Sequence, residues 1–207
     1  MDSKITSNTV VLIGEVVSGF TSHEICGEGF YTFTLAVQRL SKEIDLLPVL
    51  ISDRLIDVTW DHKGLTLQVI GQYRSHNGVK DGRRYLVLQV FAREIYFLRA
   101  DLVDARKSNT ITLKGFVCKT PNFRETPLGR EITDLLIAVN RDYGKSDYIP
   151  CVTWGRNARY AAEFEVGAAI EVKGRVQSRE YQKRLEDENV ETRIAYEVSV
   201  SKILRRD

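Results

Sequence analysis

Three histidines, three cysteines and 28 acidic residues are the side chains of this 207-residue chain best suited to acid–base or metal catalysis. Their spacing supports neither role. His23, His62 and His76 are scattered, whereas acid–base or metal catalysis needs His, Cys and carboxylates clustered. His23-Glu-Ile-Cys26 supplies half of a zinc-site spacing without a second half, so no metal is expected. There is no glycine loop of the P-loop or dinucleotide type, so no cofactor is expected and the chain does not read as an enzyme. Cys26, Cys118 and Cys151 are odd in number and lack CxxC pairing, which fits reduced, buried thiols rather than a disulfide framework.

The elements that would carry any site come in duplicate. Asn8-Thr-Val-Val-Leu-Ile-Gly14 reads like Asn109-Thr-Ile-Thr-Leu-Lys-Gly115, and Gly64 to Gly71 reads like Gly167 to Gly174. Pro48 answers Pro150, and Ile95 answers Ile203. The offset drifts from 101 through 103 to 108, as small loop insertions in an old duplication produce. A period of about a hundred residues is too long for a solenoid unit and suits one small domain, so two copies are expected, over residues 1–103 and 104–207.

Each copy reads as strand. Ile111, Leu113 and Val117 alternate around Gly115, and Ile170, Val172 and Val176 around Gly174, so one face of each strand enters a core. Glycine weakens a strand interior, so Gly14, Gly71, Gly115 and Gly174 mark sharp bends or close backbone approaches of the kind small barrels need. Helix formers interrupt the pattern over Gly155 to Glu165, and Asp53 to His62 takes the same place in the first copy. Three strands, a short helix and two more strands predict an all-β chain of two tandem OB-folds, five-stranded Greek-key barrels each with a short helix.

Composition adds limits. With 43% hydrophobic and 28% charged residues there is apolar material for two cores. No apolar run approaches a membrane span and no signal peptide opens the chain, so a cytoplasmic protein without membrane contact is expected. Net charge is +2, divided as 11 basic and 12 acidic residues up to Val103 against 19 and 16 after it. A phosphate-bearing partner must therefore be met by local patches.

The second copy resembles the bacterial and phage single-stranded DNA-binding proteins from about Asn109 to Leu204. The resemblance rests on Thr120-Pro-Asn-Phe-Arg-Glu-Thr-Pro-Leu-Gly-Arg130, Ile137-Ala-Val-Asn-Arg141, Val152-Thr-Trp-Gly-Arg-Asn-Ala158 with Phe164 and Gly167, and Ile170-Glu-Val-Lys-Gly-Arg-Val-Gln-Ser-Arg-Glu-Tyr181, in the family's order. It implies non-sequence-specific binding of single-stranded DNA in replication, recombination or repair, with Trp154, Tyr148 and Tyr181 at base-stacking positions. Physical chemistry agrees, since gripping an unpaired strand takes flat aromatic faces and cations along the phosphates. Phe123 and Tyr143 are further ring candidates; Arg124, Arg130, Arg141, Lys145, Arg156, Lys173, Arg175, Arg179, Lys183 and Arg184 are the nearby cations. Trp154 also suits a core position at a strand end, and any one arginine also reads as solvated surface. Tyr160 and Phe164, four apart on the short helix, read as core.

The first copy departs from this pattern, with Leu46, Ser52 and Gly78 where the second has Tyr148, Trp154 and Tyr181. Residues 109–204 are therefore expected to carry most of the DNA contact. Phe20, Phe30, Tyr31, Trp60 and Tyr85 offer other platforms in the first copy, whereas Phe33 and Tyr73 lie in strands and read as core. The resemblance further implies a homodimer of four barrels. The chain ends Lys202-Ile-Leu-Arg-Arg-Asp207, without the glycine-rich linker and acidic tip of many family members, so replication proteins are not expected to be recruited by a tail. Glu186-Asp-Glu188 reads as a solvated loop end, or as a contact for such a protein. An alternative reading, by resemblance to the family's primosomal relatives, is an adaptor whose barrels mainly bind proteins.

Overall fold

The structure, a computed structural model, describes residues 7–25, 27–80, 82–184 and 190–206. The first repeat contains β1 (Asn8–Val16), β2 (Thr21–Ile25), β3 (Glu28–Gln38), β4 (Ile44–Ser52), β5 (Thr66–Lys80) and β6 (Arg83–Leu98). The second contains β7 (Asn109–Val117), β8 (Asn122–Glu125), β9 (Glu131–Asn140), β10 (Ser146–Trp154), helix α1 (Arg156–Ala162), β11 (Ala169–Arg184) and β12 (Val190–Arg205).

Each repeat closes on itself. β1 pairs with β3 and β5, β3 with β4, β5 with β6, and a parallel pairing of β4 with β6 completes a five-stranded barrel. β7, β9, β10, β12 and β11 repeat the circuit. β2 and β8 are short outer strands on β3 and β9. Alternation sends Leu12, Phe33, Leu35, Leu47, Val69 and Tyr73 into the first core, and Leu113, Ile137, Ile149, Ile170, Val172 and Val198 into the second. Phe33 and Tyr73 are core, as expected.

The four strand glycines lie where backbones touch. A Cβ on Gly14 or Gly115 would come 2.3 or 2.4 Å from the carbonyl oxygen of Ala36 or Ala138. On Gly71 or Gly174 it would come 2.1 Å from that of Phe91 or Ser199, at the register shifts that bend β5 and β11.

Among the described residues α1 is the single α-helix, so the helix expected in the first repeat is not formed. The span from Asp53 to His62 is a chain of turns. Asp57 Oδ1 accepts the Thr59 N–H (2.9 Å), Asp61 Oδ1 the Lys63 N–H (3.0 Å) and Ser52 Oγ the Arg54 N–H (3.2 Å). These local bonds compete with the helical ladder.

The barrels share one sheet because β1 pairs antiparallel with β7, Val10 facing its own counterpart Ile111. That register is a local two-fold. Ile13 N–H to Ser108 O and Lys114 N–H to Ser7 O, both 2.7 Å, extend it at either end. Two matching polar clamps flank the seam. In one, buried Asp147 accepts Arg141 Nε (2.6 Å) and the Ser75 N–H of the first repeat (2.6 Å), while Arg141 Nη2 donates to Ser75 O (2.9 Å) and the Tyr148 N–H to Ser75 Oγ (2.7 Å). In the other, buried Asp45 accepts Arg39 Nε (2.8 Å) and the Ser178 N–H (2.7 Å), and the Leu46 N–H donates to Ser178 Oγ (3.1 Å).

Candidate nucleic-acid interface

The outer row of β10 is set by alternation. Asp147, Ile149, Cys151 and Thr153 point inward, which leaves Tyr148, Pro150, Val152 and Trp154 on the outer face. Tyr148 and Trp154 are half exposed, at 48% and 41%, so Trp154 is not a core residue. Six residues of strand separate them by about 20 Å. Register sets Ile132 beside Trp154 and Arg124 beside Ile132, a row across three strands. Asp134 pairs with Arg124 (Nε to Oδ2 2.8 Å) and holds its guanidinium above the ordinary value through that hydrogen bond.

Arg130 joins them through the β8–β9 turn. The Thr126 N–H donates to Arg130 O (2.9 Å), the Arg130 N–H to Thr126 Oγ1 (3.0 Å), and Gly129 adopts φ +69°. Arg130 and Trp154 consequently line one open cleft with Gly155 and Arg159. Arg159, which sequence reasoning passed over, chelates Glu131 at 2.7 and 2.9 Å.

Other candidates are placed differently. Tyr181 stands on the long β11–β12 arm, opposite Arg193, with the Arg179 guanidinium 5.9 Å from its ring centroid. Phe123 is exposed, but alternation turns it to the opposite face of β8 from Arg124. Arg141 is held in the seam clamp. Arg175 Nη1 reaches Asp45 of the other clamp at 3.7 Å, and burial pushes its guanidinium down. Arg156 and Lys173 are exposed, on α1 and β11. The side chains of Tyr143, Lys183 and Arg184 lie outside the described residues, as do Cys26 and Glu186 to Glu188. On α1, Phe164 is buried beyond the helix end, but Tyr160 is 42% exposed against it.

Two features of the first repeat lie off the positions aligned with the second repeat's rings. Tyr85 lies over Gly78 from the neighbouring strand, so a ring covers the place where an aligned aromatic is lacking. Phe91 carries two guanidiniums, Arg74 at 4.1 Å and Arg93 at 4.9 Å from its centroid. A comparison that asks only for rings at the second repeat's positions does not look there.

Two closed five-stranded Greek-key barrels in tandem, one with an exposed ring-and-guanidinium face, define a tandem OB-fold protein. The Single-strand binding protein family matches residues 108–204. Single-stranded DNA-binding protein B of Bacillus subtilis is 31% identical over 81 residues, covering 36% of this chain and 72% of that protein. Single-stranded DNA-binding protein A of the same organism is 37% identical over 81 residues, covering 36% and 47%. The chain spans about half the length of most of the curated relatives it matches. The wild-type single-stranded DNA binding protein from Thermus aquaticus has the same two-barrel fold, with a TM-score of 0.76 at 22% identity over 97% of this chain and 93% of that one. The chain belongs to the Single-strand binding protein family.

Proposed function

We propose that this chain binds single-stranded DNA without strong sequence preference, through the outer face of its second repeat, and serves DNA replication, recombination or repair without being an enzyme. The observation that carries this reading is the exposed pair Tyr148 and Trp154 on one strand face, with Arg130 in the same cleft as Trp154 and Arg124 in the same row two strands away. Rings stack on any base and guanidiniums follow any phosphate, so such a face is sequence-tolerant. Two chains are proposed to associate into a dimer of four barrels.

The test is a titration with oligothymidine, followed by tryptophan fluorescence at two salt concentrations, with duplex DNA of equal length as control. Trp60, stacked on His62 at 3.6 Å in the first repeat, is a second fluorophore, and Trp60→Phe isolates Trp154. Quenching by the single strand alone is expected, weakening with salt by a slope of about −0.7 per phosphate contacted. No quenching and no complex refutes the reading.

A further inference from the structure

The ring track of β10 ends at Tyr148, and the backbone there is fastened to the first repeat by the Tyr148 N–H to Ser75 Oγ bond. The residue next to Ser75 is Arg74, which lies against Phe91 together with Arg93. Phe91 is braced by Phe30, 5.8 Å away between centroids. The second repeat has Ser199 at this place, since Phe91 pairs with Leu50 as Ser199 pairs with Val152. The cluster is thus peculiar to the first repeat and not a copied barrel feature.

Its charge is only partly compensated. Arg141 and Arg93 both repel Arg74, and the one carboxylate that attracts it, Asp147, is already bonded to Arg141 and Ser75. Arg74 donates to Gln72 Oε1 at 2.8 Å, and its Nε is buried without a partner. Among the described residues no carboxylate pairs with Arg93. Burial, with Arg141 and Arg93 alongside, pushes the Arg74 guanidinium down to about 10. A phosphate would supply the missing anion by a charge-assisted hydrogen bond, and a base would find a guanidinium plane or the Phe91 ring to stack on.

We propose that Arg74, Phe91 and Arg93 form a second nucleic-acid contact, on the first repeat, which receives the phosphates and a base of a strand that runs past Tyr148. This rests on the reading that the second repeat binds single-stranded DNA. A bound strand therefore crosses the seam between the repeats.

The experiment compares the full chain with Arg93→Gln, in which only an exposed side chain changes, and with Arg74→Gln/Arg93→Gln. Each is titrated with a short oligothymidine that the second repeat alone can hold and with one several times longer. The double variant is expected to lose about tenfold in affinity for the long strand, to keep its affinity for the short one, and to show a salt slope smaller by about 1.4, two phosphates at 0.7 each. The single variant loses about half of that slope. Ultraviolet cross-linking of the long strand to the unaltered chain should mark Phe91. Long-strand affinity and slope unchanged in both variants, with cross-links confined to the second repeat, overturn the proposal while leaving the second-repeat site standing. Failure of the unaltered chain to bind either strand overturns both.

Discussion

Replacing Asp147 with alanine removes the centre of one inter-repeat clamp, and the structure gives the size of the effect. Asp147 is 1% exposed and accepts hydrogen bonds from the Ser75 N–H and from Arg141. Its loss leaves the Ser75 N–H without that acceptor, at about 1–3 kcal/mol. Breaking a buried ion pair from one side costs about 3–5 kcal/mol in all. The Arg141 side chain is 26% exposed and keeps its bond to Ser75 O, so water and that carbonyl relieve part of the penalty. The expected loss is therefore at the low end, about 3 kcal/mol. For a chain of this length that lowers Tm by about 6–12 °C. Urea unfolding, read as a shift in midpoint at constant slope, measures it directly. Asp45→Ala should match it, because Asp45 holds Arg39 and Ser178 in the same geometry. A loss below about 1 kcal/mol in both variants refutes the view that these clamps fasten the repeats.

Alanine at Trp154 or Tyr181 should weaken oligothymidine binding by about 1–3 kcal/mol each with the circular dichroism spectrum unchanged, and unaltered affinity sinks the stacking assignment. Gly174→Ala puts a methyl group 2.1 Å from the Ser199 carbonyl oxygen, so stability should fall by about 1–3 kcal/mol, which denaturant unfolding reads. Burial pushes the Cys151 thiol far up, so a thiol reagent at neutral pH should label it only after unfolding; prompt labelling of native protein contradicts the core placement.

The barrels were legible because alternation and bend glycines are local signals that both repeats carry. Gly71 and Gly174 fall at the register shifts where a strand had to bend. The helix of the first repeat was misread because Asp57 and Asp61, which look like ordinary polar helix positions, cap their own turns instead. The exposure of Tyr148 and Trp154 on one face of β10 follows from the same alternation. The seam was not legible, because Arg141, Asp147 and Ser75 become neighbours only once β10 lies against β5. A faint signal existed: Arg39 and Asp45 recur at an offset of 102 and Ser75 at 103, conserved spacing that surface charges have no reason to keep. Arg74 and Arg93 escaped notice for a similar reason, since Phe91 brings together cations from two strands.

Two identical subunits about a two-fold axis offer a polymer the same surface from either end. Here the axis between Val10 and Ile111 relates Tyr148 to Leu46, Trp154 to Ser52 and Ser199 to Phe91. Joining the halves in one chain frees each to differ from the other. A strand bound across the seam as proposed above would meet rings first from one direction and clustered guanidiniums first from the other. Within one chain, the two ends of the shared sheet therefore differ in chemistry.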